Sequence, residues 1–110
     1  MNAEAQRIGM SGSHFANPNG LHDPNNYSTA HDLAVLGVQL RREFPQYAHY
    51  FGTEAIDTGD GKKPQANYNI LLGRFDGADG MKTGFVCASG FNLASSATRQ
   101  GRTILAVVLG

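Results

Sequence analysis

Three strand-like segments crowd the last third of the chain, and the short breaks between them limit its fold more than any other feature. Met81 to Cys87 and Gly90 to Thr98 read as one pair, and Arg99-Gln100-Gly101 reads as a tight turn into Thr103 to Leu109. The second and third segments carry the small and β-branched residues of packed strands. Breaks of a few residues allow only antiparallel neighbours, because parallel ones need a crossover of about a dozen residues or more. The first half reads differently. Ser28 or Thr29 is placed to cap a helix, Asp32 lies in its first turn, and Leu33, Leu36, Leu40 and Phe44 follow at helical spacing before Pro45 breaks the pattern. One more helical turn is expected over Tyr47 to Phe51, then a hairpin or exposed loop around Asp57-Thr58-Gly59-Asp60-Gly61, ahead of Tyr68 to Leu72. Asn2 to Ile8 are good helix formers that stop at Gly9, and residues 11–27, rich in Ser, Asn, Gly, Pro and His, read as an ordered loop. The layout is α+β. The opening helix is too short to stand alone, and Gly110 follows directly on a strong strand, so both ends of the chain are expected to be cut.

Charge and composition remove several classes of function. Nine Lys or Arg balance nine Asp or Glu, which gives neither the basic stripe of a nucleic-acid binder nor a polybasic membrane surface. The longest clearly apolar run, Ile104 to Leu109, is far short of the roughly 20 residues of a spanning helix, and no secretory signal opens the chain. At 41% hydrophobic and 16% charged residues the composition is that of a globular domain. The single cysteine, Cys87, excludes an internal disulfide and any CxxC motif, and it is expected to pack rather than to react.

No metal site is expected. His14, His22, His31 and His49 stand at spacings that match neither HExxH nor a Cys/His finger. Glu54, Asp57 and Asp60 lack the order of a calcium loop, and a solvated turn explains them better. Asn26-Tyr27-Ser28 has the form of a glycosylation sequon but fits the start of a helix. The glycines at 73, 77 and 80 precede Lys82-Thr83, yet Met81 stands where a phosphate loop has glycine and a strand follows in place of a helix.

Lys82-Thr83-Gly84 remains, set on the first of the three strands after Asp79-Gly80-Met81. An ammonium, a hydroxyl and a bare backbone in succession suit a carboxylate: the charge attracts it, the hydroxyl bonds it, and the glycine lets a ligand approach. On the tripeptide alone, a solvated lysine on an edge strand is the better account of the pattern.

Context shifts the balance. Ile8-Gly9-Met10 with Ser13-His14-Phe15, Asn17-Pro18-Asn19-Gly20-Leu21, Tyr27-Ser28-Thr29-Ala30 through Asp32-Leu33-Ala34, Asn67 to Leu72, and Gly80-Met81-Lys82-Thr83-Gly84 occur in that order, followed by Gly90-Phe91-Asn92-Leu93, Ser96-Ala97, Arg102 and Ala106 to Gly110. The ordered set spans nearly all 110 residues and resembles the C-terminal half of the catalytic domain of the serine D-alanyl-D-alanine carboxypeptidases, the low-molecular-mass penicillin-binding proteins.

The resemblance implies a β-lactamase/penicillin-binding-protein-like transpeptidase fold, an antiparallel sheet flanked by helices, of which residues 1–110 form a partial peptidase domain. It also implies a site of three motifs, Ser-x-x-Lys, Ser-x-Asn and Lys-Thr-Gly. Only the third is here: none of the six serines is followed by Lys three positions on or by Asn two positions on. The nucleophilic serine is thus absent from the chain and expected upstream. The family's chemistry is attack of that serine on the carbonyl between two D-alanines, release of D-alanine and hydrolysis of the acyl-enzyme, without a cofactor. By resemblance, Lys82, Thr83 and Gly84 are substrate-binding, and the backbone N–H of Phe85 is the second oxyanion donor. The implied partners are the D-Ala-D-Ala end of a peptidoglycan pentapeptide and β-lactam antibiotics, with no nucleic acid, in the periplasm or elsewhere in the bacterial envelope. Membrane association is expected only through segments not present here. Phe85-Val86-Cys87-Ala88-Ser89-Gly90 departs from the polar pair that commonly follows Lys-Thr-Gly, which marks a subfamily. A non-catalytic peptidoglycan-binding relative and a class A-like β-lactamase fragment are the competing readings.

Overall fold

The computed structural model describes residues 1–110. Helix α1, Asn2–Arg7, ends at Ile8, and Gly9 follows with φ +87°, a conformation that glycine adopts without cost. Its first turn has no side-chain cap, as its sequence implies. Residues 11–27 form a loop held by its own asparagines. Asn17 and Asn26 donate side-chain N–H groups to the Leu21 carbonyl (3.0 Å each), and the Ala16 N–H donates to Asn26 Oδ1 (2.7 Å). His14 and Tyr27 close the loop with two backbone hydrogen bonds and stacked rings.

Helix α2, Ala30–Glu43, starts where Thr29 Oγ1 accepts the Asp32 N–H (3.1 Å), so the choice between Ser28 and Thr29 as cap falls to Thr29. Pro45 opens a 3₁₀ turn, Pro45–Tyr50. Strands β1 (Ala55–Ile56) and β2 (Gln65–Ala66) make a small hairpin around the predicted Asp57–Gly61 turn, while Tyr68 to Leu72 are bend and turn residues.

The main sheet is an antiparallel meander, β3 (Ala78–Val86), β4 (Gly90–Arg99) and β5 (Arg102–Val108), in that spatial order. The register sets Lys82 opposite Ala94 and Thr83 opposite Leu93. The β4–β5 turn has φ +49° at Gln100 and +73° at Gly101, the geometry of a tight two-residue hairpin.

Helix α2 lies on the face that carries Ser96, Thr98 and Leu105. The helical spacing of Leu33, Leu36, Leu40 and Phe44 is met by α2, but the closest approach to the sheet is made elsewhere. Those leucines are half-buried and Phe44 is exposed, whereas Gly37 is fully buried against Leu105 and the Met81 sulfur. The glycine is what lets the helix backbone approach the sheet. The expectation that Cys87 packs needs correction. It does not pack but sits exposed in the turn 87–89, beyond the closing pair Val86–Gly90, where the ladder has ended. The buried set is small: Ala5, Met10 and Met81, the glycines Gly37 and Gly80, and the polar Asp32, Asn69, Ser95 and Ser96.

Candidate active site

β3 has a strand partner on one side only, so every second backbone N–H and C=O along it faces away from β4. Lys82, Gly84 and Phe85 are exposed on this edge strand and Thr83 is half-buried. At one end Lys82 and Thr83 line a recess with Tyr50, Phe51, Ile56 and Tyr68. At the other end Val86 and Ser89 border the asparagine-held loop at Leu21, Asn26 and Tyr27. An extended ligand laid along β3 would therefore run between the β1–β2 hairpin and that loop. The Lys82 ammonium reaches only the neighbouring Thr83 carbonyl, which leaves its charge open to solvent. The Phe85 ring packs at a tilt against Phe91 across the ladder, centroids 4.5 Å apart.

Two carboxylates shape the surroundings. Asp32 is buried at the start of α2, where Ser13 Oγ (2.7 Å) and the Gly12 N–H (2.8 Å) donate to it. The Ser13 hydrogen bond, aided by His31, Gly12 and Thr29, holds its carboxyl below the usual aspartate range despite burial. Asp79 stands three residues before Lys82. Burial pushes its carboxyl upward, but the hydroxyls of Ser96 and Thr98 and the Arg41 guanidinium outweigh that and hold it below the ordinary value. No buried side-chain polar atom lacks a hydrogen-bond partner, and no three His, Cys, Asp or Glu side chains come together as a metal site. No helix is long and apolar enough to cross a membrane.

The Peptidase_S11 family, D-alanyl-D-alanine carboxypeptidase, matches residues 1–110. The chain belongs to this family. Among similar carboxypeptidases, DacA of Haemophilus influenzae is 37% identical over 112 residues and DacD of Escherichia coli is 34% identical over 110; each match covers 100% of this chain and 28% of the relative. The chain thus spans little more than a quarter of the curated relatives it matches. Solved structures agree in fold. Penicillin binding protein 5 from H. influenzae superposes with a TM-score of 0.89 at 35% identity, over 99% of this chain and 32% of that one. DacD from Francisella tularensis gives 0.88 at 30% identity, over 99% and 38%. Penicillin-Binding Protein D2 from Listeria monocytogenes, in its cefotaxime-bound form, gives 0.85 at 31% identity, over 98% and 44%. The α+β architecture inferred from the sequence is that of these peptidases.

Of the residues singled out from the sequence, Lys82, Thr83, Gly84 and Phe85 fall together on the free edge of β3, whereas the four histidines are dispersed. Sequence reasoning missed the Arg41–Asp79 pair and the buried Asn69. Asp79 carried one visible signal, a charged residue just before a glycine at a strand start. Arg41 carried another, four residues after the buried Gly37 on the same helix face.

Proposed function

We propose that residues 1–110 supply the substrate-docking strand of a serine D-Ala-D-Ala carboxypeptidase that trims peptidoglycan stem peptides in the bacterial envelope. The match of the D-alanyl-D-alanine carboxypeptidase family over the whole chain carries this reading, and the exposed Lys-Thr-Gly edge supports it. Lys82 attracts the terminal carboxylate, Thr83 bonds it, and Gly84 admits the peptide as an added strand. The Phe85 amide donates to the oxyanion as a serine Oγ supplied from outside this chain adds to the penultimate carbonyl. The amide C–N bond then breaks, D-alanine departs with the proton from the serine, and water cleaves the resulting ester. β-Lactams acylate the same serine. DacA and DacD bear the carboxypeptidase name and D2 was solved with cefotaxime bound, which favours the enzyme over a purely binding relative.

The experiment uses the catalytically complete protein that carries this segment. It is expected to release D-alanine from diacetyl-Lys-D-Ala-D-Ala and to be labelled by fluorescent penicillin; absence of both sinks the reading in favour of a non-catalytic relative. Lys82→Ala removes a charge-assisted contact of about 1.5–3 kcal/mol, so kcat/KM should fall at least tenfold. Phe85→Leu keeps the amide and should cost only a fewfold. The reverse ranking, in variants of equal thermal stability, would assign the wrong roles to this strand.

A further inference from the structure

The start of β3 is gripped from two sides. The pairing shifts between Ala78 and Gly80, so Asp79 is an irregular residue without a rung of its own in the ladder. Its carboxylate is met by the Arg41 fork, Nη1 to Oδ1 at 3.0 Å and Nη2 to Oδ2 at 2.7 Å, while Ser96 and Thr98 donate their hydroxyls at 2.6 Å each. The next residue is fixed separately. The Gly80 carbonyl accepts the Asn69 side-chain N–H (2.8 Å) and the Ser95 hydroxyl (3.2 Å), and Asn69 Oδ1 is itself held by the Leu71 N–H (3.2 Å). Gly80 also has no room for a side chain, since an added Cβ would lie 2.9 Å from Phe51 Cβ.

Lys82 and Thr83 have no comparable tie: the lysine reaches only an adjacent backbone carbonyl on a strand paired along one edge. Beyond their ladder pairing with Ala94 and Leu93, the side-chain ties that fix this strand lie at residues 79 and 80. We infer that the Arg41–Asp79 fork, together with the Asn69–Gly80 bond, positions Lys82-Thr83-Gly84 for the substrate carboxylate, which makes Arg41 and Asn69 positioning residues for the reaction. This rests on the function proposed above for Lys82 and Thr83. Arg is needed because its planar guanidinium meets both carboxylate oxygens and Ser96 at once, which a lysine ammonium does not.

The test again uses the catalytically complete protein, with Arg41→Lys, Asn69→Ala and the double variant Arg41→Met/Asp79→Asn. The double change removes both charges together while leaving an amide for Ser96 and Thr98, so no unpaired charge is left buried. Penicillin acylation is measured per titrated active site, and hydrogen exchange is followed on a peptide covering residues 82–86. The double variant is expected to lose at least fivefold in acylation efficiency per site through weaker initial binding, with at least fivefold faster exchange at 82–86. Arg41→Lys should fall in between. A lowered Tm with wild-type acylation per site means that the network only ties α2 to the sheet, and it overturns the proposal. If the wild type itself is not acylated, the functional reading fails first. Exchange then judges the anchor alone: unchanged protection at 82–86 overturns it, and faster exchange supports it.

Discussion

Asp32 and Asp79 do similar structural work with different partners, and both leave a signature in acid. Each carboxyl is held below its ordinary value in the folded chain, so each contributes stability that is fully present above about pH 4 and is lost as pH falls through the lowered folded value. Asp79→Asn is expected to lower the Tm of the catalytically complete protein at pH 7. The difference from wild type should shrink as pH drops below about 4; a gap that stays constant down to pH 2 would show that the charge of Asp79 is not what matters. Residues of this kind are the hardest to read from a sequence. Lys82, Thr83 and Gly84 are adjacent in the chain, so their chemistry is visible as a motif. Arg41 and Asp79 are 38 residues apart, and only the register and the docking of α2 bring them together. The exposure of Cys87 is hidden in the sequence for a related reason: its apolar neighbours Val86 and Ala88 imitate a packed strand, and only the turn geometry places it outside.

Among the elements, the β4–β5 turn departs most from its ideal sequence. Its first central position, Gln100, adopts φ +49° with a side chain that disfavours that region. Gln100→Asn is expected to stabilise the hairpin by about 0.5–1 kcal/mol, since asparagine tolerates the left-handed region better. Equilibrium denaturation of both proteins checks this, and a loss of stability would mean that the turn geometry is wrong. The elements themselves were largely legible. Short breaks fixed the antiparallel meander, and Ser28 or Thr29 with Asp32 fixed the start of α2 to within a residue. The packed face of α2 was not legible, because hydrophobic spacing points to leucines while the closest contact depends on a residue with no side chain, Gly37. The strand edge was legible in kind but not in extent: β3 begins at Ala78, earlier than the apolar pattern implies, because an ion pair to Arg41 holds the charged Asp79 in place.

At the scale of the molecule, surface dominates. The chain exposes 7901 Å², against roughly 5,900 Å² for a compact monomer of this mass, and its radius of gyration is 14.8 Å against about 13 Å. The sheet face opposite α2 is strongly exposed: Phe91 is 79% exposed, Ile104 73% and Val108 64%. With two open strand edges beside that face, the 110-residue polypeptide expressed alone is expected to associate at micromolar concentration, to release no D-alanine and to take no penicillin label. A soluble monomer with a single sharp melt, or any labelling, contradicts this. The meander has a further, kinetic consequence. Its three strands are consecutive within residues 78–108, whereas Arg41 must reach across 38 residues to Asp79 and 55 to Ser96. Nearby pairings close before distant ones, so the hairpins should form the folding nucleus and α2 should dock afterwards. In refolding of the catalytically complete protein, Ala97→Gly would then mainly slow folding and Arg41→Met would mainly speed unfolding. The opposite assignment of rates would place the helix in the nucleus. On this order, β3 takes its final shape only when a helix from the other half of the chain arrives to pin Asp79.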